Sequence, residues 1–88
     1  MRLEDAQKII FRPYVTERTF DQIARENKLC FMVDDRSSKK QIASAIEALY
    51  EVKVRAVNTS RTIIGKKAFV RLIPEESATA LATKLGLV

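Results

Sequence analysis

Eighty-eight residues carry 16 Lys and Arg against 11 Asp and Glu, a formal charge of +5, and 47% of them are apolar. A chain of this size builds one domain, residues 1–88, around one modest core, and is too small for a two-lobed enzyme closed over a cleft. Histidine is absent and Cys30 is the one cysteine, which excludes a histidine base, a Cys/His metal cluster and an internal disulfide, so no catalytic residue, metal or cofactor is expected.

Lys8-Ile9-Ile10-Phe11 is a β-prone run stopped at Arg12-Pro13, a short edge strand, because proline cannot donate to a ladder. Thr16 is placed as an N-cap, with Glu17 at the positive helix end and Val15 spaced to meet Phe20. Helix one then covers about residues 17–26, with Phe20, Ile23 and Ala24 as its apolar stripe and Asn27 as a left-handed stop. Leu29 to Val33 is apolar on both faces and suits a central strand. Asp34 to Ser37 turns the chain, and Ser38 with Gln41 forms a capping box ahead of Ile42, Ala45, Ile46, Leu49 and Tyr50 at helical spacing, giving a second helix over 39–50. Val52 to Thr59 alternates, with Val52, Val54 and Ala56 opposite Lys53 and Arg55. After a loop ending at Gly65, residues 67–73 alternate again, and the two runs form an antiparallel hairpin. Pro74 ends it, and Ser77 caps a last helix to about Leu85.

The expected order is strand, helix, strand, helix, strand, strand, helix, an α+β fold with a largely antiparallel sheet of three to four strands against helices. No apolar run approaches the roughly 18 residues of a membrane span, and the acidic start Met1-Arg2-Leu3-Glu4-Asp5 does not resemble a signal peptide. A soluble, cytoplasmic protein without membrane insertion is expected.

The charge is segregated. Residues 1–35 and 75–88 each balance to −1, whereas residues 36–74 hold Arg36, Lys39, Lys40, Lys53, Arg55, Arg61, Lys66, Lys67 and Arg71 against Glu47 and Glu51, a balance of +7. Basic excess in one segment is the footprint of a polyanion partner, nucleic acid first; the alternative is a solvated basic surface. Lys39 and Lys40 stand in the first turn of a helix, where the macrodipole disfavours cations, and this points to an external anion unless Asp34 and Asp35 pair with them. The hairpin lines up Lys53, Arg55, Lys67 and Arg71 on its solvent face, with Asn58, Thr59, Arg61 and Lys66 at its loop, where Ile63 and Ile64 are either tucked under or exposed. Phe69 either stacks on a base or packs, and Lys66-Lys67-Ala68-Phe69-Val70 faintly resembles an RNA-recognition-motif signature. Scattered carboxylates, with no phosphate-binding Gly loop, no metal-ligand spacing and no nucleophile beside a base, give no enzyme and no small-molecule substrate.

Four ordered blocks carry a family resemblance: Ile10, Pro13, Val15, Thr16, Glu17 and Arg18; Lys39 or Lys40 with Ile42, Ala45, Ile46 and Glu47; Tyr50, Val52, Val54, Val57, Asn58 and Thr59; and Lys66, Lys67, Ala68, Val70 and Leu72. Together they resemble the universal large-subunit ribosomal protein L-twenty-three family across about residues 9–73. The resemblance implies a non-enzymatic constituent of the large subunit that binds its rRNA beside the polypeptide exit tunnel. It also implies the ribosomal protein L-twenty-nine as a neighbour, and docking of signal recognition particle and the translocon. Matching positions imply rRNA contacts at Lys39, Lys40, Asn58, Thr59, Arg61, Lys66 and Lys67, and a factor-facing surface at Val15, Thr16, Glu17 and Arg18. Only about six residues separate Thr59 from Lys66, so the hairpin is similar to the archaeal form rather than to bacterial members with a long tunnel extension. The two other functions open to the residues are a free-standing RNA-binding regulator using its sheet face, and a protein-interaction adaptor built on Val15 to Phe20.

Overall fold

The computed structural model describes residues 1–87. Its elements run α1 (Leu3–Ile9), β1 (Ile10–Pro13), α2 (Glu17–Glu26), β2 (Lys28–Val33), α3 (Lys39–Tyr50), β3 (Val54–Thr62), β4 (Gly65–Leu72) and α4 (Ala78–Lys84). The sheet order is β1-β2-β4-β3 with every neighbouring pair antiparallel. Because β4 lies between β2 and β3, those two run parallel, and β2–α3–β3 is a split βαβ unit with the hairpin's return strand filling the gap. This is the expected α+β class, with β1 at the edge and β2 inside.

α1 differs from the expectation, which gave Lys8 and Ile9 to a strand. Residues 3–9 are helical instead, with Glu4 and Asp5 in the first turn, Lys8 in the last and Ala6 fully buried. Charges complement the helix dipole at both ends, and packing against α3 supplies what seven residues of propensity cannot. The edge strand therefore starts at Ile10. Its register against β2 slips between Ile10 and Arg12, which leaves Phe11 as the bulged residue, 58% exposed.

The core lies on one face of the sheet. Phe31, Ile42, Ile46, Leu72, Val33 and Val70 are its largest fully buried side chains, drawn from β2, α3 and β4, and Ala78, Leu81 and Ala82 of α4 close it. β4 alternates as expected, with Ala68, Val70 and Leu72 buried. α3 starts on Ser38, whose hydroxyl accepts from Gln41 N while the Gln41 side chain accepts from Ser38 N. α2 also has the expected limits, but its stripe does not. Thr19 and Ile23 are buried, whereas Ala24 is exposed and Phe20 is 46% exposed. Thr19 can be buried because its hydroxyl accepts from Thr16 N at 2.6 Å and donates to the Tyr14 and Thr16 carbonyls.

β3 carries a second correction. It spans Val54–Thr62 rather than 52–59, and its register slips between Val54 and Ala56. A bulge at Arg55 reverses the alternation, so Ala56 is exposed and Val57 is buried. Two carboxylates hold the entry to this strand: Glu47 Oε2 accepts from Val54 N at 3.0 Å and Glu76 Oε2 from Lys53 N at 2.7 Å.

The turn of the β3–β4 hairpin is two residues, Ile63 and Ile64, with Gly65 at φ +133° taking the conformation that a β-branched side chain could not. Residues 60–62, assigned to the loop by sequence, are strand, and the isoleucines are 106% and 60% exposed. α3 stops at Glu51, whose φ of 55° is left-handed. A non-glycine residue there costs about 1 kcal/mol, partly offset by the larger unfolded-state freedom of glycine. Glu51→Gly is therefore expected to raise stability by roughly 0.5 kcal/mol, read as a higher urea midpoint, while Glu51→Val lowers it.

Candidate nucleic-acid interface

The two basic clusters seen in the sequence, a helix start and a hairpin, meet in space. Lys66 Nζ donates to the Ser37 carbonyl at 2.7 Å and to the Asp35 carbonyl at 3.4 Å. Arg61 Nη2 donates to the same Asp35 carbonyl at 3.3 Å. Both cations thus hold the turn that leads directly into α3, and the first turn of that helix presents Lys39 and Lys40, both exposed. Among the described residues no ion pair involves either lysine. Asp34 is committed elsewhere, its carboxylate accepting from Arg36 N at 3.3 Å. The result is a group of unneutralised cations at a helix N-terminus whose own dipole has the same sign, an arrangement that favours phosphate.

The two hairpin lysines divide between the faces of the sheet. Lys66 pairs with Val33 and Arg61 on the helix-covered side, whereas Lys67 pairs with Met32 and Ser60 on the open side. Asn58 and Phe69 pair on the open side too, while Thr59 opposes the buried Ala68 and is half-buried. Lys67 is held by the Tyr14 ring, its ammonium 4.0 Å from the ring centroid, a cation–π contact across 53 positions that no local pattern announces. Arg55 and Arg71 lie apart from the rest, at the far end of the hairpin, in a second depression that also involves Arg25 and Asn27. Arg71 is partly neutralised there by Glu26 at 3.5 Å, which also meets Lys28 at 3.5 Å. Lys53 is exposed beside that end. The structure therefore gathers Lys39, Lys40, Arg61 and Lys66, places Asn58 and Lys67 on the open face, and separates Lys53, Arg55 and Arg71.

Val15, Thr16, Glu17 and Arg18 form the entry to α2. The Thr16 side chain is used as the cap, accepting from Thr19 N at 3.2 Å. Val15 is 44% exposed, and Glu17 and Arg18 are exposed beside it. Cys30 is buried on β2, and desolvation pushes its thiol up to about 11 although the nearby Lys67 ammonium acts the other way. It is an unreactive packing residue at neutral pH.

A model of the family "Ribosomal protein L23" matches residues 8–80. Curated relatives named large ribosomal subunit protein uL23 include one from Tetrahymena thermophila, 45% identical over 85 residues, 96% of this chain and 57% of the relative. Another, from Haloarcula marismortui, is 44% identical over 80 residues, 90% of this chain and 94% of the relative. A third, from Methanobrevibacter smithii, is 44% identical over 84 residues, 94% and 98% of the two chains. The chain spans little more than half the length of the Tetrahymena relative and nearly all of the two archaeal ones.

Proposed function

The chain belongs to the ribosomal protein L23 family, and from that premise we propose that it is a structural, non-catalytic constituent of the large ribosomal subunit that binds large-subunit rRNA. The observation that carries the rRNA reading is the fused cluster: Lys66 and Arg61 brace the turn before α3, and Lys39 and Lys40 on its first turn are exposed, with no ion-pair partner among the described residues. Phosphate groups of folded RNA fit such a site because the contact needs charge and free backbone N–H groups, not a base sequence. Archaeal relatives of nearly the same length and the two-residue hairpin turn support an archaeal-type member with no long extension.

The same reading puts the protein in the cytoplasm, beside the polypeptide exit tunnel and next to L-twenty-nine. Its docking surface for signal recognition particle and the translocon is the α2 entry. There Val15, Glu17 and Arg18 face outward, an apolar contact flanked by both charges, while Thr16 maintains the helix start.

The test uses Lys39→Ala/Lys40→Ala and spares Lys66, since its loss would release the turn as well as a charge. Binding to a large-subunit rRNA fragment is measured across a salt series. Each phosphate contact contributes about −0.9 to the slope of log K against log salt, so the double variant is expected to bind more weakly and to flatten the slope by about 2. An unchanged affinity and slope would overturn the assignment of this cluster to RNA.

A further inference from the structure

We propose that the groove between α2 and the open sheet face takes one unpaired nucleotide, its base stacked on Phe69 and its phosphate held by Lys67. The proposal rests on the RNA-binding reading but uses a different surface from the α3 start. The groove, of about 250 Å³, is formed by Tyr14, Arg18, Gln22, Lys67 and Phe69 together with the α2 cap threonines. Its lining contains two cations and no carboxylate, and among the described residues neither cation is in an ion pair. Lys67 is already positioned by the Tyr14 ring, so little side-chain freedom is lost when it meets an anion.

Phe69 is only partly buried although it sits on an inner strand, with Cys30 buried on one side of it and Asn58 exposed on the other. An aromatic ring lining a groove between cations and amide side chains matches the requirements of a single-stranded base. Stacking supplies affinity, Lys67 holds the backbone, and the Gln22 amide in the lining offers a donor and an acceptor for the base edge. A duplex offers no free base face and fits the groove poorly.

The full chain is titrated against a single-stranded pentanucleotide with 2-aminopurine at its centre, whose fluorescence falls on stacking. Wild type is expected to quench it. Phe69→Leu, which keeps an apolar side chain on the strand, should raise Kd roughly ten-fold and abolish the quench. Lys67→Met should raise Kd with the quench amplitude at saturation retained. Lys39→Ala/Lys40→Ala is expected to raise Kd through the lost charge while retaining the full quench at saturation, so failure here, read by the quench, and failure of the rRNA cluster, read by the salt slope, are separable. Equal Kd and quench for wild type and Phe69→Leu overturn the proposal. So does full displacement by inorganic tripolyphosphate, which would make the contact purely ionic. Displacement by an acidic aromatic peptide at lower concentration than unlabelled RNA also overturns it and assigns the groove to a protein.

Discussion

Phe31→Ala is expected to cost about 4 kcal/mol of stability, the largest single effect in the molecule. The ring is fully buried in the middle of β2, between Pro13 on the edge strand and Ala68 on β4. It also stacks on Tyr50 at the end of α3, centroid to centroid 5.8 Å and 21° between planes. Truncation removes the transfer energy of the ring, leaves a cavity between sheet and helix, and takes away a stacked pair worth about 1 kcal/mol. Tyr50 is half-buried, with its phenol raised above the usual range by desolvation, and it would lose its apolar partner. A domain of this length has roughly 4–13 kcal/mol in total, so the variant should show a large population of unfolded chain at low urea. Urea denaturation followed by far-UV circular dichroism reads the loss. A cost below about 1 kcal/mol would mean that the sheet and α3 do not pack through this residue. Phe31→Leu, which refills most of the volume, should recover more than half of the loss.

Asn27→Ala is expected to cost about 3 kcal/mol, and the loss should divide between two causes. The backbone of Asn27 is left-handed, φ 55° and ψ 37°, where alanine is disfavoured by about 1 kcal/mol. Its side chain is a bracket between distant parts of the chain. Nδ2 donates toward the carbonyls of Leu72 at 3.4 Å, Ile73 at 3.2 Å and Glu76 at 3.0 Å, while Oδ1 accepts from Ala78 N at 2.8 Å. The backbone carbonyl of Asn27 takes Leu72 N at 3.1 Å. Removing the amide strands polar groups of the 72–76 segment and one orphan donor at the start of α4. Asn27→Gly keeps the left-handed geometry and loses only the bracket, so it should be the milder change by about 1 kcal/mol. Asn27→Asp keeps the acceptor but sets a carboxylate oxygen against three carbonyls, and should be no better than alanine. Denaturant midpoints of the three variants test the order. If glycine matches wild type, the bracket contributes nothing to stability.

These two sites also show what was legible in the sequence. Phe31 stood in a continuous apolar run, and a run of that kind has few homes other than an inner strand. The stop at Asn27 was legible because asparagine tolerates the left-handed region and a short side chain can cap. Its four long-range hydrogen bonds were not, since their partners lie 45 to 51 positions away. The bulge at Arg55 was missed for a related reason: alternation counted along one strand carries no record of an extra residue against its partner. α1 was missed because a seven-residue helix has little intrinsic stability, and its existence depends on Ala6 seating against α3. Ile63 and Ile64 stayed ambiguous until the two-residue turn placed both outside.

The candidate interface divides in the same way. The +7 middle segment, the lysine pair at a helix start and the basic hairpin are properties of composition and short spacing, and so were the four blocks that identify the family. By itself the sequence determined a small basic chain of α+β class. Only the tertiary structure decided which cations act together. The fold makes Lys66 and Arg61 into supports for the turn before α3, leaves Lys39 and Lys40 exposed, pairs Arg71 with Glu26, and swings Lys67 over Tyr14 beside Phe69. The physical reason is that charge content is local to the chain, whereas the partner that neutralises a charge, or fails to, is set by which strands lie side by side.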